Sequence, residues 1–122
     1  MASLRQKQSL LVKCLEQLFR YAHSQGYEFT LGDAGSPPAR RVRLPDGRVD
    51  ICTDLEHMDG SLHYQRLAID LNLFVNGRYI TSGASPAYKE LGAFWEGLDP
   101  DCSWGGRFGD ANHFSIAHGG KR

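Results

Sequence analysis

The stretch from Leu67 to Thr81, "LAIDLNLFVNGRYIT", constrains the fold more than any other part of the chain. Leu67, Ile69, Leu71, Leu73 and Val75 alternate with Ala68, Asp70, Asn72 and Phe74, which is the period-two pattern of a strand with one apolar face. Asn76-Gly77 is the preferred two-residue hairpin turn, because both central positions of that turn need positive φ. A return strand is therefore expected from Arg78 to Thr81. The same alternation puts Asp70 on the face opposite Ile69 and Leu71, beside Ala68 and Asn72. A carboxylate with such flanks either points away from the core or has a cation beside it.

The segments around this hairpin supply its cover. Leu4, Leu11, Cys14, Leu15, Leu18, Phe19 and Ala22 recur at three- and four-residue steps, with Arg5, Lys7, Lys13, Glu16 and Arg20 between them. That spacing predicts an amphipathic helix, with Ser3 and Gln6 as a capping box and Gly26 as its stop. "YEFTL" (Tyr27 to Leu31) reads as a short strand. Ser85-Pro86 opens a second helix, serine at the N-cap and proline at the first helical position, with Tyr88, Leu91, Trp95 and Leu98 on one stripe. Phe114 and Ile116 mark a closing strand in a glycine-punctuated tail.

Between Gly32 and Gly60 the sequence is irregular and holds three of the five prolines. Within it "RVRLPDGRVDI" predicts a hairpin about Pro45-Asp46-Gly47. A turn-rich stretch of this length in a small domain is more often functional than idle. The order helix, irregular region, hairpin, helix and closing strand predicts an α+β fold, a small antiparallel sheet with flanking helices.

At 122 residues and 41% hydrophobic content, the chain is expected to be one domain, residues 1–122. Lys and Arg balance Asp and Glu at 14 each, so no basic field argues for nucleic acid, and Arg40, Arg41 and Arg43 are too few for a binding stripe. Cys14, Cys52 and Cys102 are an odd count without a CxxC pair, which argues against a disulfide framework and a cysteine zinc site. Cys14 is expected in the core. The opening "MASLRQKQSLLVKCLEQLF" carries charge throughout, so no signal peptide is expected and synthesis is placed in the cytoplasm. No run approaches the roughly 20 apolar residues of a membrane span, so no membrane insertion is expected.

His63, Asp70 and His113 make an N2O ligand set of the kind zinc accepts in catalytic sites, with a fourth position for water. Asp110 precedes His113 by three residues in "GDANHF", a spacing at which one side chain can hold a metal while the other acts as general base beside it. A bound dication would also explain the flanks of Asp70. Residue types alone leave the bland alternative open, a solvated carboxylate on an exposed strand. His23 suits the dipole at a helix end. His57, among Asp54, Glu56 and Asp59, and His118 read as solvated.

"SLHYQRLAIDL" followed by "WGGRFGDANHF" resembles the zinc D-alanyl-D-alanine carboxypeptidase superfamily, whose signature is Ser-x-His-x-x-Gly-x-Ala-x-Asp and then an acidic residue three before a second histidine. The nearest branch is the phage and prophage endolysins that cut the L-alanyl-D-glutamate bond of peptidoglycan. The likeness also takes in "EFTLGDA", "DLNLFVNGRYI" and "YKELGAFWEGL", and so runs from Glu28 to Phe114. It implies a fold of the hedgehog/DD-peptidase type. It further implies zinc on His63, Asp70 and His113, Asp110 as catalytic acid and base, and the Ser61 hydroxyl against the substrate. Trp104 and the two glycines after it match the segment leading into the catalytic turn, where the alternative is simply a packed aromatic with a tight turn.

Two positions depart from the pattern. Arg66 stands at the signature's glycine, a change associated with the phage branch. Gly35 and Ser36 stand where an aromatic-arginine pair is expected after "LGDA", which leaves Arg40 or Arg41 to take that arginine's part. The function implied is a zinc-dependent, monomeric peptidoglycan hydrolase acting on the stem peptide at the L-Ala–D-Glu bond. It would be released through a holin to reach the wall in the periplasm. The alternatives are a D,D-carboxypeptidase that removes terminal D-Ala, and a non-catalytic zinc-containing binding module of the same fold.

Overall fold

A computed structural model describes residues 2–32, 40–43, 49–52 and 65–119, and of residues 40–43, 49–52 and 107 the backbone alone. It is an α+β structure, two helices with a small antiparallel sheet. The first helix, α1 (Leu4–Ser24), starts at the expected capping box: the Ser3 hydroxyl accepts from the Gln6 N–H, and the Ser3 N–H donates to Gln6 Oε1. It ends at Gln25, with Gly26 following at φ +82. Leu11, Cys14, Leu18 and Ala22 are its buried stripe, whereas Leu4, expected on that face, is 39% exposed.

The main sheet is built on β4 (Ala68–Val75). One of its edges pairs with β1 (Tyr27–Leu31), Leu31 opposite Leu71 and Tyr27 opposite Val75. The rest of β4 pairs with β5 (Arg78–Ile80) and with β7 (His113–Ile116), which in turn pairs with β6 (Cys102–Trp104). All these pairings are antiparallel. Asn76 and Gly77 take φ +53 and +77 at the hairpin turn, as the Asn-Gly step requires. A separate two-stranded ladder joins β2 (Arg40–Arg43) to β3 (Val49–Cys52), the expected second hairpin; its turn lies outside the described residues.

The second helix, α2 (Pro86–Leu98), begins after Ser85 as its sequence predicts, but the Ser85 side chain makes no capping bond. Instead the preceding bend is held by Ser82, whose hydroxyl accepts from the Ala84 N–H and whose carbonyl accepts from the Ser85 N–H. The inward residues of both helices join Leu67, Ile69, Leu71 and Leu73 in one core with Trp95, Phe114 and Ile116. Trp95 stands edge-on to Phe114, and its indole N–H donates to the Ser115 carbonyl at 3.1 Å.

Two contacts tie α2 to the strands. On β4, the Tyr88 hydroxyl donates to the Leu71 carbonyl and accepts the Leu73 N–H, at 3.1 and 3.2 Å. It thereby fills the gap between the end of β7 at His113 and the start of the β5 pairing at Leu73. At the far side of α2, Glu90 accepts from the hydroxyls of Tyr21 in α1 and Tyr27 in β1, the latter at 2.7 Å. These bonds hold the Glu90 carboxyl below the usual carboxylate range and both phenols above theirs.

The depressed acid contributes stability above about pH 4.3 that is lost as pH falls through its folded pKa. The raised phenols contribute stability that is full below about pH 10 and lost above it. Melting curves of wild type and Glu90→Ala should therefore differ most between these limits and converge in acid. An unchanged gap at pH 3 would count against the contact.

Arg66 has φ +59, in the left-handed region, where a side chain costs roughly 1–2 kcal/mol and glycine nothing. This is the position of the glycine in the Ser-x-His-x-x-Gly-x-Ala-x-Asp pattern.

Candidate metal centre

Strand register builds the first half of the site. Asp70 of β4 lies directly opposite His113 of β7, so their side chains leave the sheet on one face. The alternation along β4 turns Asp70 away from the buried Ile69 and Leu71, as its sequence predicts. A turn then delivers the third group: the His113 N–H donates to the Asp110 carbonyl at 3.2 Å, and the Leu71 N–H reaches the Asn112 carbonyl at 2.8 Å. Asp70 Oδ1 lies 3.6 Å from His113 Nδ1, and Asp110 Oδ2 lies 3.9 Å from the same nitrogen. One ligand atom from each of the three residues falls within 4.8 Å of the others.

The Asp70–His113 separation fits a tetrahedral metal directly, and Asp110, at 3.9 Å, would have to shift by a few tenths of an ångström to join. Ligands about 2.0–2.2 Å from a tetrahedral ion lie roughly 3.3–3.6 Å apart, and carboxylate oxygen with imidazole nitrogen is a donor set zinc takes. Exposure divides the three. The side chains of Asp70 and His113 are 16% and 14% exposed, while that of Asp110 is 60% exposed. The first two are shielded, and the third faces outward. A cavity of about 170 Å³ opens beside Asp110, walled by Tyr79, Ile80, Thr81, Tyr88 and the turn from Gly109 to Asn112.

The frame under the turn depends on glycines and one tryptophan. Gly105 starts a short 3-10 helix (Gly105–Phe108), and its carbonyl accepts the Asp110 N–H at 2.9 Å. A Cβ on Gly105 would lie 2.5 Å from the Asp110 carbonyl oxygen and 2.7 Å from His113 Cβ. Gly105→Ala should thus push the two groups apart, weakening metal binding at least about tenfold and costing on the order of 1–3 kcal/mol. Metal titration and denaturant unfolding measure both, and a variant that matches wild type in both refutes the close approach.

Trp104 is 8% exposed and its ring is held between Gly92 of α2 and Gly106; a Cβ at either glycine would collide with the indole. Its Nε1–H donates to the Ala111 carbonyl at 2.6 Å, inside the turn between Asp110 and His113. Its backbone N–H donates to Glu96 Oε2 at 3.0 Å. Of the two readings of Trp104, the packed aromatic with its tight turn is the one described by these contacts, and the packing itself shapes the site. On the other side, the Gly32 N–H donates to the Asp70 carbonyl at 2.8 Å, and a Cβ there would lie 3.0 Å from Asp70 Cβ.

Asp70, Asp110 and His113 are thus brought together. Ser61 and His63 lie outside the described residues, as does His57. Arg40 and Arg41 are on β2, and their side chains lie outside the description. His23 does fall in the last turn of α1 and stacks on Phe19; His118 is half-buried rather than solvated. Sequence reasoning passed over Gly92, Glu96 and Tyr88 as parts of the frame. A signal existed for Gly92, since a glycine inside a helical pattern costs about 1 kcal/mol against alanine and asks for a packing reason. No helix among the described residues is long and apolar enough to cross a membrane. Comparison with protein-family models, with curated proteins and with solved structures returned no match.

Proposed function

We propose that the chain is a zinc-dependent peptidoglycan hydrolase that cuts the stem peptide, with the L-Ala–D-Glu bond as its target. The observation that carries this reading is the convergence of Asp70, Asp110 and His113 on one face of the sheet, the two shielded groups paired across strands and the exposed one beside a cavity. The left-handed Arg66 adds support, because a glycine is what that backbone favours and a glycine is what the zinc carboxypeptidase signature has there. The hedgehog/DD-peptidase fold type belongs to the same reading.

In it, His63, Asp70 and His113 hold the ion. Zinc bound there supplies a Lewis acid for the scissile carbonyl and lowers the pKa of a water toward about 7. Asp110 takes a proton from the attacking water on its carboxylate and returns it to the nitrogen of the leaving amine as the C–N bond breaks. Ser61 and one of Arg40 or Arg41 hold the peptide. The enzyme is read as a monomer that meets the wall after release through a holin.

Mass spectrometry of purified peptidoglycan, incubated with the protein with and without a chelator, tests the reading. New D-Glu amino termini that disappear with chelator are the expected result. Loss of terminal D-Ala alone would make the protein a D,D-carboxypeptidase. Intact peptidoglycan with a folded, zinc-loaded sample would overturn hydrolysis and leave the zinc-containing binding module.

A further inference from the structure

Cys14 and Cys102 are 88 residues apart in the chain, yet the Cys102 thiol donates to Cys14 Sγ at 3.6 Å. Cys14 sits on the inner face of α1 and Cys102 opens β6; they are 2% and 3% exposed, and both are free thiols. The proposed hydrolysis uses neither. We propose that this pair is a site of covalent modification, at which a disulfide-bearing oxidant joins Cys14 to Cys102 and so ties α1 to the sheet.

The geometry asks for little. A disulfide S–S bond is about 2.05 Å, so the sulfurs must approach by roughly 1.5 Å. One thiol, as its thiolate, attacks a sulfur of the oxidant and forms a mixed disulfide, releasing one thiol. The second cysteine then attacks the protein sulfur of that mixed disulfide and releases the other thiol. Two electrons pass from the pair to the oxidant, and the two cysteine protons end on the released thiols.

Burial governs the rate. It pushes both thiols up, and Cys102 is raised further by the neighbouring Cys14. The thiolate is therefore scarce while α1 is docked, and exchange waits on opening of that helix. Once formed, the bond is sealed from reductant by the same packing. It also closes a loop that contains most of the fold, and so restricts the unfolded chain.

The test uses the full chain carrying Cys52→Ser, so that only this pair titrates, incubated with oxidised glutathione and also refolded from denaturant in it. Loss of both thiols, a mass lower by about 2 Da, a peptide linking Cys14 to Cys102, and a melting midpoint raised by roughly 10 °C are expected. Dithiothreitol added to unfolded protein should reverse all four. Adding Cys14→Ser or Cys102→Ser should leave one thiol or a glutathione adduct, with no gain in midpoint. Persistence of both thiols after oxidative refolding, stable glutathione adducts on the pair, or a cross-link that lowers the midpoint would each overturn the proposal.

Discussion

Asp110→Ala should leave zinc bound at close to one per chain and lower peptidoglycan hydrolysis by about 10³-fold, within the range typical of general acid–base catalysis. The expectation comes from exposure: Asp110 is the one member of the three that faces outward, and a cavity opens beside it. Asp110→Asn should behave alike, since an amide keeps the shape but cannot carry the proton. Zinc content by elemental analysis and turnover on purified peptidoglycan, measured on the same sample, decide the matter. If zinc leaves with Asp110, the residue is a ligand, as its 3.9 Å from His113 Nδ1 would also permit, and its assignment as base fails.

The largest stability effect belongs to Trp104. Trp104→Ala should cost about 3–5 kcal/mol, the range for emptying a buried aromatic site. Here the surrounding positions are Gly92 and Gly106, which have no side chains with which to fill the space. The site should suffer as well, because the Nε1–H bond to Ala111 is a direct restraint on the turn that carries Asp110 and His113. Trp104→Phe separates the two effects. It retains most of the ring and drops the donor, so metal affinity should fall at least several-fold while the protein stays folded at 25 °C. Equal affinity in wild type and Trp104→Phe, measured by competition with a chromophoric chelator, would show that the bond does not restrain the turn.

Much of this arrangement was legible in the residues, and what was hidden has a common cause. The alternation through Asp70 and the Asn76-Gly77 step are local patterns, read within a few residues, and the structure follows both. The capping box at Ser3 and Gln6 is equally local. By contrast, β6 is three residues long and buried on both faces, so Cys102, Ser103 and Trp104 show no alternation to read. The pairing of Asp70 with His113 depends on which strand meets β4, which periodicity does not specify. Motif order suggested that the two act together; only the register explains how. The capping role expected of Ser85 passes to Ser82, because a serine before a proline states where a helix starts, not which neighbour holds the bend.

The Tyr88 phenol has a use beyond filling the edge of β4. The Leu73 amide hydrogen points at a side chain of α2 while Leu73 itself stands opposite Ile80 in the β4–β5 ladder. Its exchange with solvent deuterium therefore requires both undocking of that helix and parting of the β4–β5 pair, and reports the two as one opening. Since Gly92 and Glu96 of the same helix hold Trp104, and Trp104 holds the turn at Ala111, this one amide should share its opening with the frame beneath Asp110 and His113.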